Sequence, residues 1–215
     1  MKLIDYISEL RKSLPLDYQE IDDRMLIRLL NEFRSVFIKN ESNKNNKLDD
    51  KLIQTISGIQ LKIVDQSDTF FINTMDRILK TVVPIPTIIK SSHRDLIFNI
   101  RNAKILSDSY NIITKDNAIY SGNGKFNKND IYCFPYNGYI YTKLNDNNPK
   151  LRLLTHISIE AIFENPLECI PFQYKGYYNE LDYEYPLSDI MWGYIKSNIL
   201  QHGLGIIKAQ IEEKQ

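Results

Sequence analysis

The stretch Ile21-Asp22-Asp23-Arg24-Met25-Leu26-Ile27-Arg28-Leu29-Leu30-Asn31-Glu32-Phe33-Arg34-Ser35-Val36-Phe37-Ile38-Lys39 decides the reading of the fold. Ile21, Met25, Leu29, Phe33 and Val36/Phe37 recur at the helical period and predict an amphipathic helix with that stripe buried. Asp22 and Asp23 open it, where carboxylates meet the positive end of the helix dipole, and Lys39 closes it. Arg24, Arg28, Glu32 and Lys39 fall largely off the stripe. Upstream, Leu3, Ile7, Leu10 and Leu14 share one face of a shorter helix over 3–13, ended by Pro15. Downstream, 40–47 reads as a polar linker and 48–56 as a third helix with Leu52, Ile53 and Ile56 inward.

From Gly58 the period changes. Ile59, Leu61 and Ile63 alternate with Gln60 and Lys62, the pattern of a strand. Further extended runs are read at 78–86, 96–105, 111–114, 118–120 and 157–163, with Pro84 and Pro86 confining the first to a sheet edge or exit. In Tyr132-Cys133-Phe134-Pro135-Tyr136-Asn137-Gly138-Tyr139-Ile140-Tyr141, an Asn-Gly pair between aromatic runs predicts a hairpin, because its tight turn needs positive φ at both central residues. Tyr185-Pro186-Leu187 opens a last helix through 200, with Pro186 in its first turn and Ile190, Met191, Tyr194, Ile195, Ile199 and Leu200 giving a broad apolar face. Gly203 and Gly205 then mark a break. The expected fold class is α+β: an N-terminal helical bundle over 1–57, an antiparallel β domain over 58–180, and a C-terminal helix and tail over 181–215 packing on the N-terminal helices.

Composition narrows the function. With 43% hydrophobic and 25% charged residues, the chain is ordinary globular material. Its 27 basic and 27 acidic residues cancel, which removes any overall pull toward nucleic acid or an anionic membrane. The skew toward Ile, Asn, Lys and Tyr follows AT-rich codons and so reports genome composition. Cys133 and Cys169 are too few for a disulfide framework or a zinc site and read as small buried hydrophobes. The N-terminus lacks the apolar run of a signal peptide, and no stretch reaches the roughly 18 apolar residues of a membrane span. The expected setting is a cytosol-like environment or a particle assembled there.

Nothing in the sequence assembles into recognisable chemistry. His93, His156 and His202 are scattered, none spaced four residues from another histidine or a cysteine. Gly122-Asn123-Gly124-Lys125 lacks the length of a phosphate-binding loop and reads as a hairpin loop. Glu180, Asp182 and Glu184 suit either a cation or a solvated loop before a helix. No catalytic, metal-ligating or cofactor-binding residue is assigned. The aromatics Tyr132, Phe134, Tyr136, Tyr139 and Tyr141, with Lys125, Lys128 and Lys143, leave two readings open: a base-stacking face for single-stranded nucleic acid, or cross-strand packing in a core and at a protein interface.

Taken in order, several pieces carry a resemblance. They are the helix from Ile21 to Lys39, Leu52-Ile53-Gln54 through Ile59 to Ser67, and Leu79-Lys80-Thr81 with Val83-Pro84-Ile85-Pro86. The Asn137-Gly138 hairpin, Phe163-Glu164-Asn165-Pro166 and Tyr185-Pro186-Leu187 complete the set. Together they resemble the head-to-tail connector (adaptor or ring) proteins of tailed bacteriophages, in the versions from crAss-like phages. The resemblance implies a non-enzymatic, cofactor-free virion protein of the neck or tail, assembled in the host cytoplasm. It implies a homo-oligomeric ring of twelve copies beneath the portal protein, offering a platform to other tail or neck proteins, with DNA only as lumen cargo and no membrane. It places Arg24, Arg28 and Arg34 near subunit boundaries and Trp192 and Tyr194 at a packing or docking surface of the last helix; Tyr136 and Tyr139 of the hairpin are the further interface candidates. Fourteen tyrosines and Trp192 suit such surfaces, since these residues are favoured interface anchors. The alternatives are a single-strand nucleic-acid-binding β module, another phage tail component, or an enzyme or small-molecule binder.

Overall fold

Asp22 caps the long helix, its carboxylate accepting from the Arg24 backbone N–H at 3.1 Å. The computed structural model describes residues 1–15, 18, 21–64, 76–92, 94–103, 109–118, 120–122, 127, 129–145, 148–203 and 205. In chain order the elements are α1 (Leu3–Ser13), α2 (Asp23–Asn43), β1 (Gln54–Ile63), β2 (Asp76–Thr81), β3 (Ile97–Asn102), β4 (Asn111–Ile112), α3 (Lys115–Ala118), β5 (Tyr132–Tyr136), β6 (Tyr139–Asn145), β7 (His156–Ala161), α4 (Ile170–Gln173) and α5 (Asp189–Asn198). The chain forms two units: Met1–Gln54, Ile88–Leu96 and Ile162–Gln215 make the first, Thr55–Thr87 and Ile97–Ala161 the second.

The first unit is built on α1, α2 and α5. Leu3, Tyr6, Ile7 and Leu10 of α1 are buried, on the face the sequence pattern predicts. In α2 the innermost residues are Leu26, Leu29, Leu30, Arg34, Ser35 and Ile38, while Met25, Phe33 and Phe37 are half-buried and Val36 is 54% exposed. The buried arc is therefore turned from the expected stripe. The cause is a second contact: the segment 163–167 lies along the Ser35 side of the helix, the Ser35 hydroxyl donating to the Glu164 carbonyl at 3.1 Å. The helix also runs to Asn43, through half of the expected linker. The last helix starts later than expected. Tyr185 and Leu187 are buried ahead of it, Ser188 stands at the cap position, and α5 begins at Asp189. Pro186 lies outside the helix because its carbonyl is taken by a tertiary hydrogen bond from Arg34 (3.1 Å). Beyond α5 the backbone widens to a π-type turn over Ile199–Gly203.

Arg34 is fully buried in this unit. Its Nε–H donates to the Pro186 carbonyl and its Nη1–H to the Phe163 carbonyl at 2.8 Å, and its guanidinium carbon lies 5.9 Å from the centre of the Tyr185 ring. Nη2 has no hydrogen-bond partner among the described residues. Burial pushes the Arg34 pKa down from its ordinary value. The side chain thus ties α2 to two returning segments with its planar fork.

The second unit is a seven-stranded sheet in the order β3-β7-β1-β2-β6-β5-β4. The Tyr110 N–H donates to the Ile100 carbonyl at 2.7 Å, linking the β3 edge to the approach of β4, so the sheet is nearly closed. The pairs β1–β2, β2–β6, β5–β6 and β3–β7 are antiparallel. The pair β4–β5 is parallel, which corrects the expectation of a wholly antiparallel domain; the short α3 makes the crossover. The segment 48–56 is not a helix. Only Asp50–Leu52 makes a 3-10 turn, and β1 starts at Gln54. Gly58 hid this: at φ +75° it takes the left-handed region, Ser57 and Gly58 both face outward, and the alternation resumes one residue out of phase at Ile59. Ala118 ends α3 rather than extending a strand. The predicted hairpin forms with Asn137 at φ +47° and Gly138 at φ +77°, pairing Phe134 with Tyr141 and Tyr136 with Tyr139. The Gly122 loop, Asp65 to Ser67, His93 and the C-terminal tail after Gly205 lie largely or wholly outside the described residues.

Two outcomes follow from the buried groups. Arg34→Met keeps most of the volume but strips donors from two buried carbonyls, at about 1–3 kcal/mol each, partly offset by removing a desolvated charge. A net loss of about 2–4 kcal/mol is expected in urea unfolding. Burial pushes the Cys133 and Cys169 thiols up to about 12. At pH 8 roughly one part in ten thousand would then be thiolate. Alkylation of the folded protein at pH 8 should leave both cysteines unlabelled, and labelling should appear only in denaturant.

Candidate functional site

The outward side of α2 and the segment 164–167 enclose a groove of about 560 Å³. The far wall is held in place by three polar contacts. Lys39 pairs with the Glu164 carboxylate at 2.7 Å, Asn31 Nδ2 donates to Asn165 Oδ1 at 3.2 Å, and Ser35 reaches the Glu164 carbonyl. Asn165 also caps the turn that follows, accepting from the Leu167 N–H at 3.2 Å. Ile27, Val36 and Leu167 supply apolar lining, and Arg24 and Arg28 line the groove toward the start of the helix. Arg28 pairs with Glu32 at 3.0 Å across one helical turn, an exposed contact of small energetic weight. The Arg24 side chain makes no hydrogen bond or ion pair among the described residues. Two of the three arginines expected at a boundary, Arg24 and Arg28, therefore stand on one exposed surface. The third, Arg34, points into the core.

Trp192 and Tyr194 part company on α5. Trp192 is buried: its indole N–H donates to Glu9 Oε2 at 3.0 Å, and its ring meets the Tyr6 ring edge-on at 4.8 Å. Lys196 donates to the other Glu9 oxygen at 2.7 Å, and these hydrogen bonds, that of Lys196 foremost, hold the Glu9 carboxyl below its usual range. Tyr194 is 52% exposed, with its ring tilted on Phe37 of α2 at 5.0 Å. Ile190, one turn earlier, is 88% exposed. Ile190 belongs to the broad apolar face read from the sequence, and helical periodicity ranks apolar residues without knowing which arc is covered.

The aromatic hairpin of the second unit turns most of its groups inward. Tyr132, Phe134 and Tyr141 are buried, with Phe134 and Tyr141 stacked at 5.5 Å over Ile78 and Ala118. Tyr136 and Tyr139 are half-buried, the Lys115 ammonium 4.0 Å from the first ring centre and the Lys80 ammonium 5.6 Å from the second. Lys143, which a nucleic-acid face would need outside, is buried and donates to the carbonyls of Ala118 and Ser121 at 2.7 and 2.8 Å. Lys125 and Lys128 lie outside the described residues. The observed burial counts against a stacking platform.

Catalytic geometry is no better served. His156 Nδ1 lies 3.0 Å from the Thr155 hydroxyl, and His202 is exposed in the π-type turn. Asp182 of the acidic run pairs with Lys2 at 2.9 Å. Among the described residues no three His, Cys, Asp or Glu side chains converge as a metal site requires, and no helix is long and apolar enough to cross a membrane.

The surfaces left open on the helical unit are the α2 groove and the exposed side of α5. Comparison with curated proteins gives no match. The model of a family described as phage tail ring protein 2, of the crAss-phage type, matches residues 2–215. A match over nearly the whole length of both units shows that this chain belongs to the phage tail ring protein 2 family.

Proposed function

We propose that this protein is a non-enzymatic structural subunit of a ring at the head-to-tail junction of a phage particle. Twelve copies form the ring beneath the portal, the next tail or neck protein docks on its far side, and DNA passes through the lumen. The observation that carries this reading is the family match from residue 2 to residue 215. It is a family of tail rings, so assembly from repeated copies in the virion is its common property. The finer placement at the portal rests on the likeness to connector proteins.

The physical chemistry is consistent with this. A ring subunit meets its neighbours through two different, complementary flanks related by rotation. It therefore carries more exposed apolar surface than a monomer needs, and Val36, Ile190 and Tyr194 answer that requirement on the helical unit. Of the residues expected at interfaces, Arg24, Arg28 and Tyr194 act from that surface, and Tyr136 and Tyr139 from the half-exposed hairpin. Arg34 and Trp192 act indirectly, by fixing the helices that present them. A net charge of zero suits a wall past which DNA must slide without being gripped.

Electron microscopy of the purified protein, alone and mixed with the portal of the same genome, is the test. Closed twelve-fold rings capping the portal are expected. A folded protein that forms no ring and leaves the portal bare would overturn the reading.

A further inference from the structure

The middle of α5 holds a residue that no contact among the described residues explains. Gly193 sits inside a helix, where glycine is less favourable than alanine by the conformational freedom it gives up on folding. A glycine usually stands in such a place because a Cβ would strike a neighbour. Here a Cβ built on Gly193 meets no atom within 4 Å, and its φ is not in the left-handed region. Around it lie the exposed residues Asp189, Ile190, Tyr194 and Ser197. Ile190 at 88% exposure is among the most exposed large apolar side chains described. Small residues between two apolar knobs make a face that another backbone can approach closely.

The groove on α2 has the complementary character. Its apolar lining of Ile27, Val36 and Leu167 suits Ile190 and the edge of Tyr194, and toward the start of α2 it carries Arg24 beside the Arg28–Glu32 pair. Asp189 opens α5 beside Ile190, exposed and without a hydrogen bond or ion pair among the described residues. The two surfaces also face apart. Tyr194 packs on Phe37, and Arg28 precedes Phe37 by nine residues, roughly two and a half turns, so the two stand on opposite sides of α2. One copy cannot fold its α5 face into its own groove, but a second copy can offer it.

We infer that the exposed α5 face of one subunit, Asp189-Ile190 with Gly193 and Tyr194, seats in the α2 groove of the next copy of this chain. The inference rests on the ring reading above and names its subunit contact. The contact is head-to-tail: each copy uses a different surface toward each neighbour, so repetition by rotation closes a ring. Ile190 is the buried anchor, Asp189 meets Arg24 and Arg28 at the rim, and Gly193 lets the helix lie close to the groove wall.

The test uses full-length chains whose own cysteines are buried. Val36→Cys places a thiol in the groove and Ile190→Cys one on the α5 face. Mixed and oxidised where rings form, alone or on the portal, they should give a disulfide-linked dimer that neither variant gives by itself. Rings without that cross-link overturn the contact and leave the ring reading standing. No ring under any condition overturns the ring reading and this inference with it. Gly193→Leu separates assembly from folding. With open space around the residue, its melting temperature should be unchanged or raised, while ring formation at equal concentration should fall at least tenfold. Normal rings from this variant would also overturn the contact.

Discussion

The buried guanidinium of Arg34 is the constraint on which the helical unit depends. It is a charge in the core with carbonyls, not a carboxylate, as its hydrogen-bonding partners. Such a group is costly to desolvate, and the cost is offset only if several donors are satisfied in good geometry. The planar fork meets part of that condition at the carbonyls of Phe163 and Pro186, which lie 129 and 152 positions away in the chain, and leaves Nη2 without a partner among the described residues. Helix α2 is complete only when the chain has come back from the second unit and presented both. Once Phe163 is held, the residues after it follow the helix, and the Ser35, Asn31 and Lys39 contacts fix them as the far wall of a groove. The outward surface of α2 is thus shaped by the same contact that anchors its inward side.

The sequence made part of this legible. Helix α1, the existence of α2 and the Asn137-Gly138 hairpin each carry a strong local signal: a repeated apolar stripe, paired acids at a helix start, a turn that needs positive φ. What stayed hidden involves partners far apart in the chain. An arginine in an amphipathic helix reads as solvent-facing, because nothing near it in sequence says that two carbonyls will arrive to meet it. Ile53 and Ile56 are three residues apart and mimic a helical face, yet tertiary pairing makes Gln54 onward a strand. The parallel β4–β5 pair is two residues on each side, too short for any periodicity to register. The groove has walls 125 to 134 positions apart, so Arg24 and Arg28 could be named from the helix pattern while the Glu164 to Leu167 wall could not be joined to them.

Lys143 and Arg34 show how a chain with many basic residues can spend some of them on structure. Lys143 reaches the carbonyls at the end of α3 and just after it, closing one face of β6 that would otherwise be wet. Neither cation is available to an anionic partner. Counting charges therefore overstates the basic surface, and the aromatic hairpin, whose rings are packed on Ile78 and Ala118, offers little flat area for bases.

Helix α5 carries apolar residues around most of its circumference, which is the pattern of a helix covered on all sides. Among the described residues of one chain it is covered on one side only. Met191, Trp192 and Ile195 are buried against the first unit, with Glu9 satisfying the indole and Lys196 at the boundary, while Ile190 stays in water. Keeping that side chain exposed forfeits roughly 1.5–3 kcal/mol of burial, and Gly193 forfeits helix propensity besides. Neither loss is recovered by any contact among the described residues. In a protein belonging to a ring family, the economical explanation is that both are recovered between copies, where a close-packed helix face needs a knob and no Cβ beside it.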